Sequence, residues 1–475
     1  MEPDPVLTDP RYVTLAAENA ALRAEMAGLR EAMERLEKLL ETIQGQLSKD
    51  SHNSHKPPGS DGPQAPKRPA NPPTGRKRGG QPGRTGKARE LLPEGSEKRT
   101  VEVKLTTCPH CAFVLPPEAI TGTVTHRVLD LVRELTEVVA FRLDEGCCPK
   151  CHKAIRAELP PEAGVGELGP QIRALVAYLR TQGRMSLGPL QFFCQEVLHI
   201  DVSRGWLHES GIRISEAIAP VWEALAEEIR CSDVVNMDET GFGRKDRDWI
   251  WVALTTRTVF FHFSTTRGFE ALKAILPEDF GGVLCTDRYT TYRKLKDAVR
   301  QYCWAHLRRE LIALSEAKDP VVSRLGTHML EDQERIFDLW HLFRNQEIDR
   351  PALRLHTAVI LARMKRNLGL ATQTEHKAAR NLGKSLLEHW DKLWTFLRVE
   401  GVEPTNNSAE RALRPLVILK RIFQRLPSIG GKKFFERLLT TGATARIRGV
   451  PFYDWLIRAM HAAHQGIPLP ALETG

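Results

Sequence analysis

Three acids stand in sequence contexts that could hold divalent metal: Asp238 in VVNMDETGF, Asp287 in GGVLCTDRYTTY and Glu410 in NNSAERALRP. An isolated acid is normally a solvated surface charge, so the contexts carry the weight. Val234, Val235 and Met237 precede Asp238, and Val283, Leu284 and Cys285 precede Asp287. Such short apolar runs read as buried strands, each with a carboxylate at its carboxyl end. Glu410 follows the capping residues Asn406, Asn407 and Ser408 and precedes Ala412, Leu413, Leu416 and Leu419, the spacing of one apolar helix face. Two strand-end aspartates and one first-turn glutamate can converge from separate elements. Their hard oxygen donors suit Mg²⁺ or Mn²⁺, and two such ions about 3.5–4 Å apart support in-line displacement at phosphorus. Glu239 should face the other side of its strand and is the weaker ligand candidate.

The elements around these acids follow from pattern. VVNMDETGF, DWIWVALTT and TVFFHFSTT read as three successive strands, Phe269 to Leu276 as a short helix, and GGVLCTD as a fourth strand. RQYCWAHLRREL adds a fifth strand turning into a helix. This is the order of a ribonuclease-H-like core, with the first acid on its first strand and the second ending its fourth. The long interval before Glu410 is filled by a helical insertion. His306 in CWAHLRR reads as a structural histidine near the site. From 404 to 449, ten Lys or Arg face only Glu410 and Glu436. Arg411, Arg414, Lys420 and Arg421 are the candidates for contact with a DNA backbone.

A second kind of donor set lies upstream. CPHC (Cys108, Cys111) and CPKC (Cys148, Cys151) supply four thiolates, the donor set of a structural, tetrahedral Zn²⁺. The β-branched stretch THRVLDLVRELTEVVAFRL between them predicts strands of a zinc ribbon.

The first 47 residues carry heptads. Leu15, Leu22, Leu29, Leu36 and Ile43 occupy one core position, and Asn19, Met26, Met33, Leu40 and Leu47 the other. This predicts a parallel coiled coil and a homodimer or higher homo-oligomer. Residues 48 to 90 hold 8 Pro, 7 Gly and ten Lys or Arg against three acids, the composition of a basic linker. Between 168 and 230 the chain reads as helical. LGPLQFFCQEVLHIDVSRGWLHESGIRIS within it fits a helix-turn-helix or an ordinary hairpin, the second helix capped by Ser203.

The expected architecture is multidomain α+β. Its parts are a coiled coil (1–47), the linker (48–90), a zinc-binding domain (91–160) and a helical DNA-binding region (161–230). The ribonuclease-H-like α/β core follows (231–309), then the helical insertion (310–400) and the last part of the core with basic helices (401–475). With 475 residues, a net charge of +9 and a pI near 9.1, the chain is expected to bind a polyanion. MEPDPVLTDP lacks the features of a secretory signal, no run of about 20 apolar residues predicts a membrane span, and the nine cysteines do not suggest a disulfide scaffold. A cytoplasmic, nucleoid-associated protein without a membrane partner is expected.

Taken together, SHNSHKPPGSDGP, RKRGGQPGRTG, the paired CxxC, MDET, CTDRYTTY, CWAHLRR and NNSAERALRP make the chain resemble, over nearly its full length, the DDE transposases of insertion-sequence family 66. The resemblance implies metal-dependent cleavage and strand transfer at the ends of a mobile element, with Asp238, Asp287 and Glu410 as the triad. It implies double-stranded DNA, both element ends and target, as substrate, and accessory proteins of the same element as further partners. Two departures are visible. The second aspartate is followed by Arg288 where glycine is usual, and KRIFQRLPSIGG stands where an aromatic-rich stretch is expected. A non-catalytic DNA-binding protein or repressor, and a nuclease without strand transfer, are the alternatives.

Overall fold

A computed structural model describes residues 18, 22–36, 100–101, 103–119, 122, 135–158, 160, 168–242, 248–423 and 428–473. The chain divides into two compact units, Pro69–Ala157 with Gln191–Val202, and the remainder. The expected linker (48–90) lies outside the described residues. No helix among the described residues is long and apolar enough to cross a membrane.

In the smaller unit, β1 (Glu145–Cys147) and β2 (Ala154–Arg156) form an antiparallel hairpin. The strands expected between the two CxxC turns are not seen where that stretch is described. Residues 135–144 have no regular structure, and Val138 is 97% exposed. β-branched residues favour extended backbone, but a strand needs a pairing partner, which this segment does not have among the described residues. Residues 123–134 lie outside them.

The larger unit includes a helix, α1 (residues 22–36), in which Leu22, Met26, Leu29, Met33 and Leu36 are each more than half exposed. Further on come α2 (Pro170–Thr181), α3 (Leu187–Leu198), which runs on into the smaller unit, α4 (Arg204–Ala217) and α5 (Ala219–Arg230). As expected, Ser203 caps α4, its hydroxyl accepting from the Trp206 N–H at 3.1 Å.

At the centre is a five-stranded sheet in the order β5-β4-β3-β6-β7. Its strands are β3 (Val234–Phe242), β4 (Asp248–Leu254), β5 (Val259–Ser264), β6 (Val283–Thr286) and β7 (Val299–Tyr302). β3, β4 and β5 pair antiparallel, whereas β3–β6 and β6–β7 are parallel. The connection from β5 to β6 carries the short helix α6 (Phe269–Lys273). Alternation along the strands makes two faces. Val235, Met237, Trp251, Ala253 and Phe260 pack on one side with Leu272 and Tyr292. Phe242, Ile250, Val252, Leu254, Phe261 and Phe263 pack on the other, against α11 (Asn407–Phe423) and α12 (Ile429–Ile447). Between β7 and α11 run α7 (Trp304–Ser315), α8 (Pro320–Arg344), α9 (Arg350–Ala371) and α10 (Lys377–Glu388), with a core of Trp304, Trp340, Trp394 and Leu residues; α13 (Phe452–Gln465) follows α12.

The outer edge of β5 is closed by a helix instead of a strand. The N–H groups of Val259, Phe261 and Phe263 donate to Thr444 Oγ1 (3.1 Å), Thr440 Oγ1 (3.0 Å) and Glu436 Oε1 (2.5 Å). Side chains four apart on α12 thus match N–H groups two apart on β5, because one helical turn and two strand residues advance by similar lengths, about 5.4–6.8 Å. An edge satisfied in this way cannot recruit a foreign strand.

Candidate active site

The sheet register brings the two aspartates level. Parallel pairing of β3 with β6 runs Val234↔Val283, Val235↔Leu284 and Asn236↔Cys285, and there it stops. Asp238 and Asp287 each stand two residues beyond that last pair, on neighbouring parallel strands. Asp287 ends its strand as expected. Asp238 instead lies in mid-strand, because β3 continues against β4 as far as Phe242↔Asp248. Alternation puts Asp238 on the same face as Phe242, the face on which α11 packs.

Glu410 lies in the first turn of α11, which packs across β3 and β4. A chain of hydrogen bonds fixes that turn to both aspartate strands. Cys303 N–H donates to the carbonyl of Thr286, the residue before Asp287 (2.8 Å). Asn406 N–H donates to Cys303 Sγ (3.1 Å), and the Asn406 side-chain amide donates to the carbonyl of Met237, the residue before Asp238 (2.6 Å). Asn406 is almost wholly buried, so these bonds are made away from water and loss of either leaves an unpaired group.

The electrostatics record the convergence. Burial pushes the Asp238 carboxyl well above the usual carboxylate range, and repulsion from Glu239, Asp287 and Glu410 adds to it; an N–H bond from Glu239 opposes the shift. Asp287 Oδ1 accepts from the Tyr289 N–H at 2.8 Å. Among the described residues, neither aspartate has a basic side chain within ion-pairing distance. Glu410 Oε1 lies 3.7 Å from His306 Nδ1. Together with Cys303 Sγ, these donor atoms lie within 4.8 Å of one another, the one such group of three among the described residues. Burial raises the Cys303 thiol to about 11.

Glu239 faces away from Asp238, as strand alternation requires, and is engaged. It accepts from Arg267 Nε (3.0 Å) and Nη2 (2.7 Å) and from the Tyr292 hydroxyl. The Arg267 guanidinium also lies 3.9 Å from the Tyr289 ring centroid and 4.9 Å from that of Trp249. Arg288 is tied outward. Its Nη2 reaches both oxygens of Glu310 on α7 at 2.5 Å, and its Nη1 reaches Ser385 Oγ on α10 at 3.1 Å. The arginine thus links the loop carrying the second aspartate to the helical insertion, which glycine could not do. His306, read from sequence as a structural histidine near the site, stands beside Glu410, whereas the bonds of Asn406, Arg267 and Tyr292 carry no signal in the sequence. The His306 signal was present, in the CxxH spacing that opens α7.

On α11, Arg411, Arg414 and Arg421 are exposed, and Lys420 is half-buried. The two CxxC turns are near copies. Cys108 and Cys148 N–H groups donate to Phe113 and Lys153 carbonyls (2.9 Å each), while their own carbonyls accept from Ala112 (2.9 Å) and His152 (2.8 Å). Ala112 and His152 both adopt left-handed backbone, with φ of 57° and 54°. Backbone N–H groups in each turn, from His110 and Cys111 and from Cys151 and Lys150, point at the first sulfur and lower its pKa. The four sulfurs do not gather within the 4.8 Å that groups Cys303, His306 and Glu410.

A sheet of this order, with acids level on its two central strands and a third acid from a helix laid across it, is consistent with a ribonuclease-H-like transposase core. Comparison with known proteins agrees. Residues 166–433 match the Transposase IS66 family, and the chain belongs to that family. Residues 2–90 match a family of unknown function. The chain is similar to two uncharacterized proteins of Sinorhizobium fredii (strain NBRC 101917 / NGR234). It is 24% identical to y4qI over 65% of this chain and 62% of that protein, and 23% identical to y4jD over 75% and 74%. The match thus spans under two thirds of y4qI.

Proposed function

We propose that the protein binds the ends of an insertion sequence and catalyses metal-dependent DNA cleavage and strand transfer through Asp238, Asp287 and Glu410. The observation that carries this reading is the Asp238 carboxyl, raised first by burial and then by three neighbouring acids, with no ion-pairing base among the described residues. Like charges are gathered in this way where a cation is to be held. The donors of these three residues are all carboxylate oxygens and fit Mg²⁺ or Mn²⁺. Asp238, Asp287 and Glu410 would hold the metal, which would supply activation of the attacking hydroxyl and stabilisation of the leaving oxygen. The Asn406 bonds hold the Glu410 turn against the aspartate strands, so the acids are placed before substrate arrives. Arg411, next to Glu410, and Arg414, one turn on, are both exposed and would orient the phosphate backbone.

Cys108, Cys111, Cys148 and Cys151 would hold a structural Zn²⁺. The matched turns, with N–H groups aimed at sulfur, suit thiolate ligands. The exposed apolar seam of α1 supports a homodimer or higher oligomer. Activity of this kind belongs with chromosomal DNA in the bacterial cytoplasm.

The test uses duplexes carrying the element ends with Mg²⁺ or Mn²⁺. Wild-type protein is expected to cut them and join pre-cut ends to a target, and Asp287→Asn is expected to bind the same ends without doing either. Full activity in Asp287→Asn would sink the triad. Hydrolysis without joining of pre-cut ends would make the protein a nuclease.

A further inference from the structure

Beyond Asp287, on the side of the sheet toward the helical insertion, lies a group of cations that the catalytic reading does not use. Arg300, on β7, is 5% exposed. Its Nη2 donates to Thr286 Oγ1 at 2.6 Å, and that hydroxyl donates to the Asp287 carbonyl at 2.7 Å. Its guanidinium lies 5.5 and 5.6 Å from the ring centroids of Tyr292 and Tyr302, and its Nε has no hydrogen-bond partner.

His389 meets Tyr302 edge-on at 5.8 Å, is 8% exposed, and its Nε2 likewise has no hydrogen bond. The 3₁₀ turn that follows it, Trp390–Leu393, is fastened to β7. Gln301 Nε2 donates to the Leu393 carbonyl (3.2 Å), Phe396 N–H donates to Gln301 Oε1 (3.0 Å) and Thr395 Oγ1 donates to the Arg300 carbonyl (2.6 Å). This brings Lys392 to the cluster. Arg293, exposed on the turn Thr290–Lys294 just after Asp287, completes it.

Acids nearby do not neutralise the group. Glu388 Oε1 is 3.9 Å from His389 Nε2 and is mostly in solvent, and Asp391 pairs with Arg398 at 3.8 Å. Arg293, Arg300 and Lys392 have no carboxylate within ion-pairing distance among the described residues. The cations repel one another instead. Burial and then Arg300 and Arg293 disfavour the Lys392 ammonium, while burial, Lys392 and Arg293 disfavour a charged His389, with Glu388 opposing both. Positive groups gathered around two buried, unsatisfied nitrogens are complementary to an anion.

We infer that Arg293, Arg300, His389 and Lys392 form a subsite for a backbone phosphate of the DNA strand that passes over Asp287. Arg293 and Lys392 meet the phosphate at the surface, Arg300 supplies field from beneath, and His389 contributes its unpaired ring nitrogen instead of a charge. The inference rests on the reading of the chain as a DNA-processing enzyme. It adds that the helical insertion, through the turn carrying Lys392, helps hold substrate beside the second aspartate.

The test is binding of the full-length, zinc-loaded protein to a duplex, measured by fluorescence anisotropy over a salt series with Mg²⁺ and Mn²⁺ omitted. The double variant Arg293→Gln with Lys392→Gln changes only groups at the surface end of the cluster. Its affinity is expected to fall several-fold, and the slope of log K against log salt to flatten by about 0.9 for each phosphate that is no longer neutralised. Arg293→Gln with Lys392→Arg should recover part of the affinity. An unchanged slope and affinity in a double variant that melts like wild type would overturn the subsite. A second arm adds inorganic phosphate. If phosphate raises the melting temperature of wild type but not of the double variant, while DNA binding is equal in the two, the cluster takes a small anion and the backbone assignment is wrong. Because the assay needs no catalysis, it separates the two readings. A protein without strand transfer can still show the flattened slope, and an active transposase with an unchanged slope loses only this subsite.

Discussion

At the sheet, the proposed donors come from positions 238, 287 and 410, on two strands and a helix that local sequence cannot bring together. At the CxxC turns, each pair of donors is made by one short turn whose hydrogen bonds all lie within six residues, Cys108 to Phe113 and Cys148 to Lys153. The first set is positioned by tertiary structure and is mutually repulsive. The second is shaped locally, and backbone N–H groups lower the first thiol of each pair, Cys108 and Cys148. The difference suggests distinct uses. Repelling carboxylates held apart by a rigid frame keep exchangeable cations with open positions, whereas thiolates on turns close around one ion that organises the surrounding chain.

The comparison can be broken most severely by exchange of function. Asp238→Asn is expected to lower strand transfer on the order of 10²–10³-fold or more with zinc content unchanged. Cys108→Ser should release zinc while the sheet domain keeps its own melting transition. Metal analysis and differential scanning calorimetry on both variants check this, and the contrast collapses if either variant does the other's damage.

Next is the frame. Asn406→Ala removes the amide bond to Met237 and should destabilise the larger unit by about 1–3 kcal/mol, with strand transfer falling further than stability alone explains. Asn406→Asp, which keeps the shape but cannot donate that bond, should behave like alanine. Denaturant unfolding alongside activity decides it.

A pH dependence follows from Asp238. Its folded value stands above the ordinary one, so the folded chain binds this proton more tightly than the unfolded chain. The resulting stability is fully present below the unfolded pKa and is lost as pH rises through the raised folded value. Glu239 is shifted the same way, first by burial and then by Asp287. Metal-free protein should therefore melt lower as pH rises through this window, and Mg²⁺, which takes the ionised acids, should restore it. Asp238→Asn should remove part of the pH slope and raise the melting temperature of the metal-free protein at high pH. A melting temperature independent of pH with and without Mg²⁺ would show that the acids do not repel.

The smallest effect is expected at the hairpin. Arg156 and Glu145 pair across β1 and β2 at 2.6 Å, with both side chains about two-thirds exposed. Arg156→Ala should leave the melting temperature of zinc-loaded protein unchanged, since an exposed pair contributes little. A measurable drop would mean that the turns depend on more than metal.

Much of the sheet was legible in sequence. The strand order, the helix between β5 and β6, the place of Asp287 and the cap of α4 follow from local pattern, where periodicity and turn chemistry agree. Asp238 was placed at a strand end because the apolar run stops there. The structure carries β3 through Glu239 to Phe242, because pairing with β4 continues to Phe242↔Asp248 and the buried Glu239 is satisfied by Arg267 and Tyr292. Asn406 illustrates what cannot be read. Its type suggests a helix cap, yet its bonds go to Met237 and Cys303, partners far away in sequence that no local signal encodes. Arg300 and Lys392 were silent for the same reason.

The closing of the β5 edge by α12 has a consequence for synthesis. Glu436, Thr440 and Thr444 all lie after Glu410, so the residues that seal the sheet are made later than every proposed ligand of its metal site. A nascent chain that has just exposed Glu410 still has an open strand edge, able to pair with a neighbour on the same message. The interval between completing the acids and completing the seal is therefore when this chain is most exposed to aggregation, and slow translation through residues 411–444 would lengthen it.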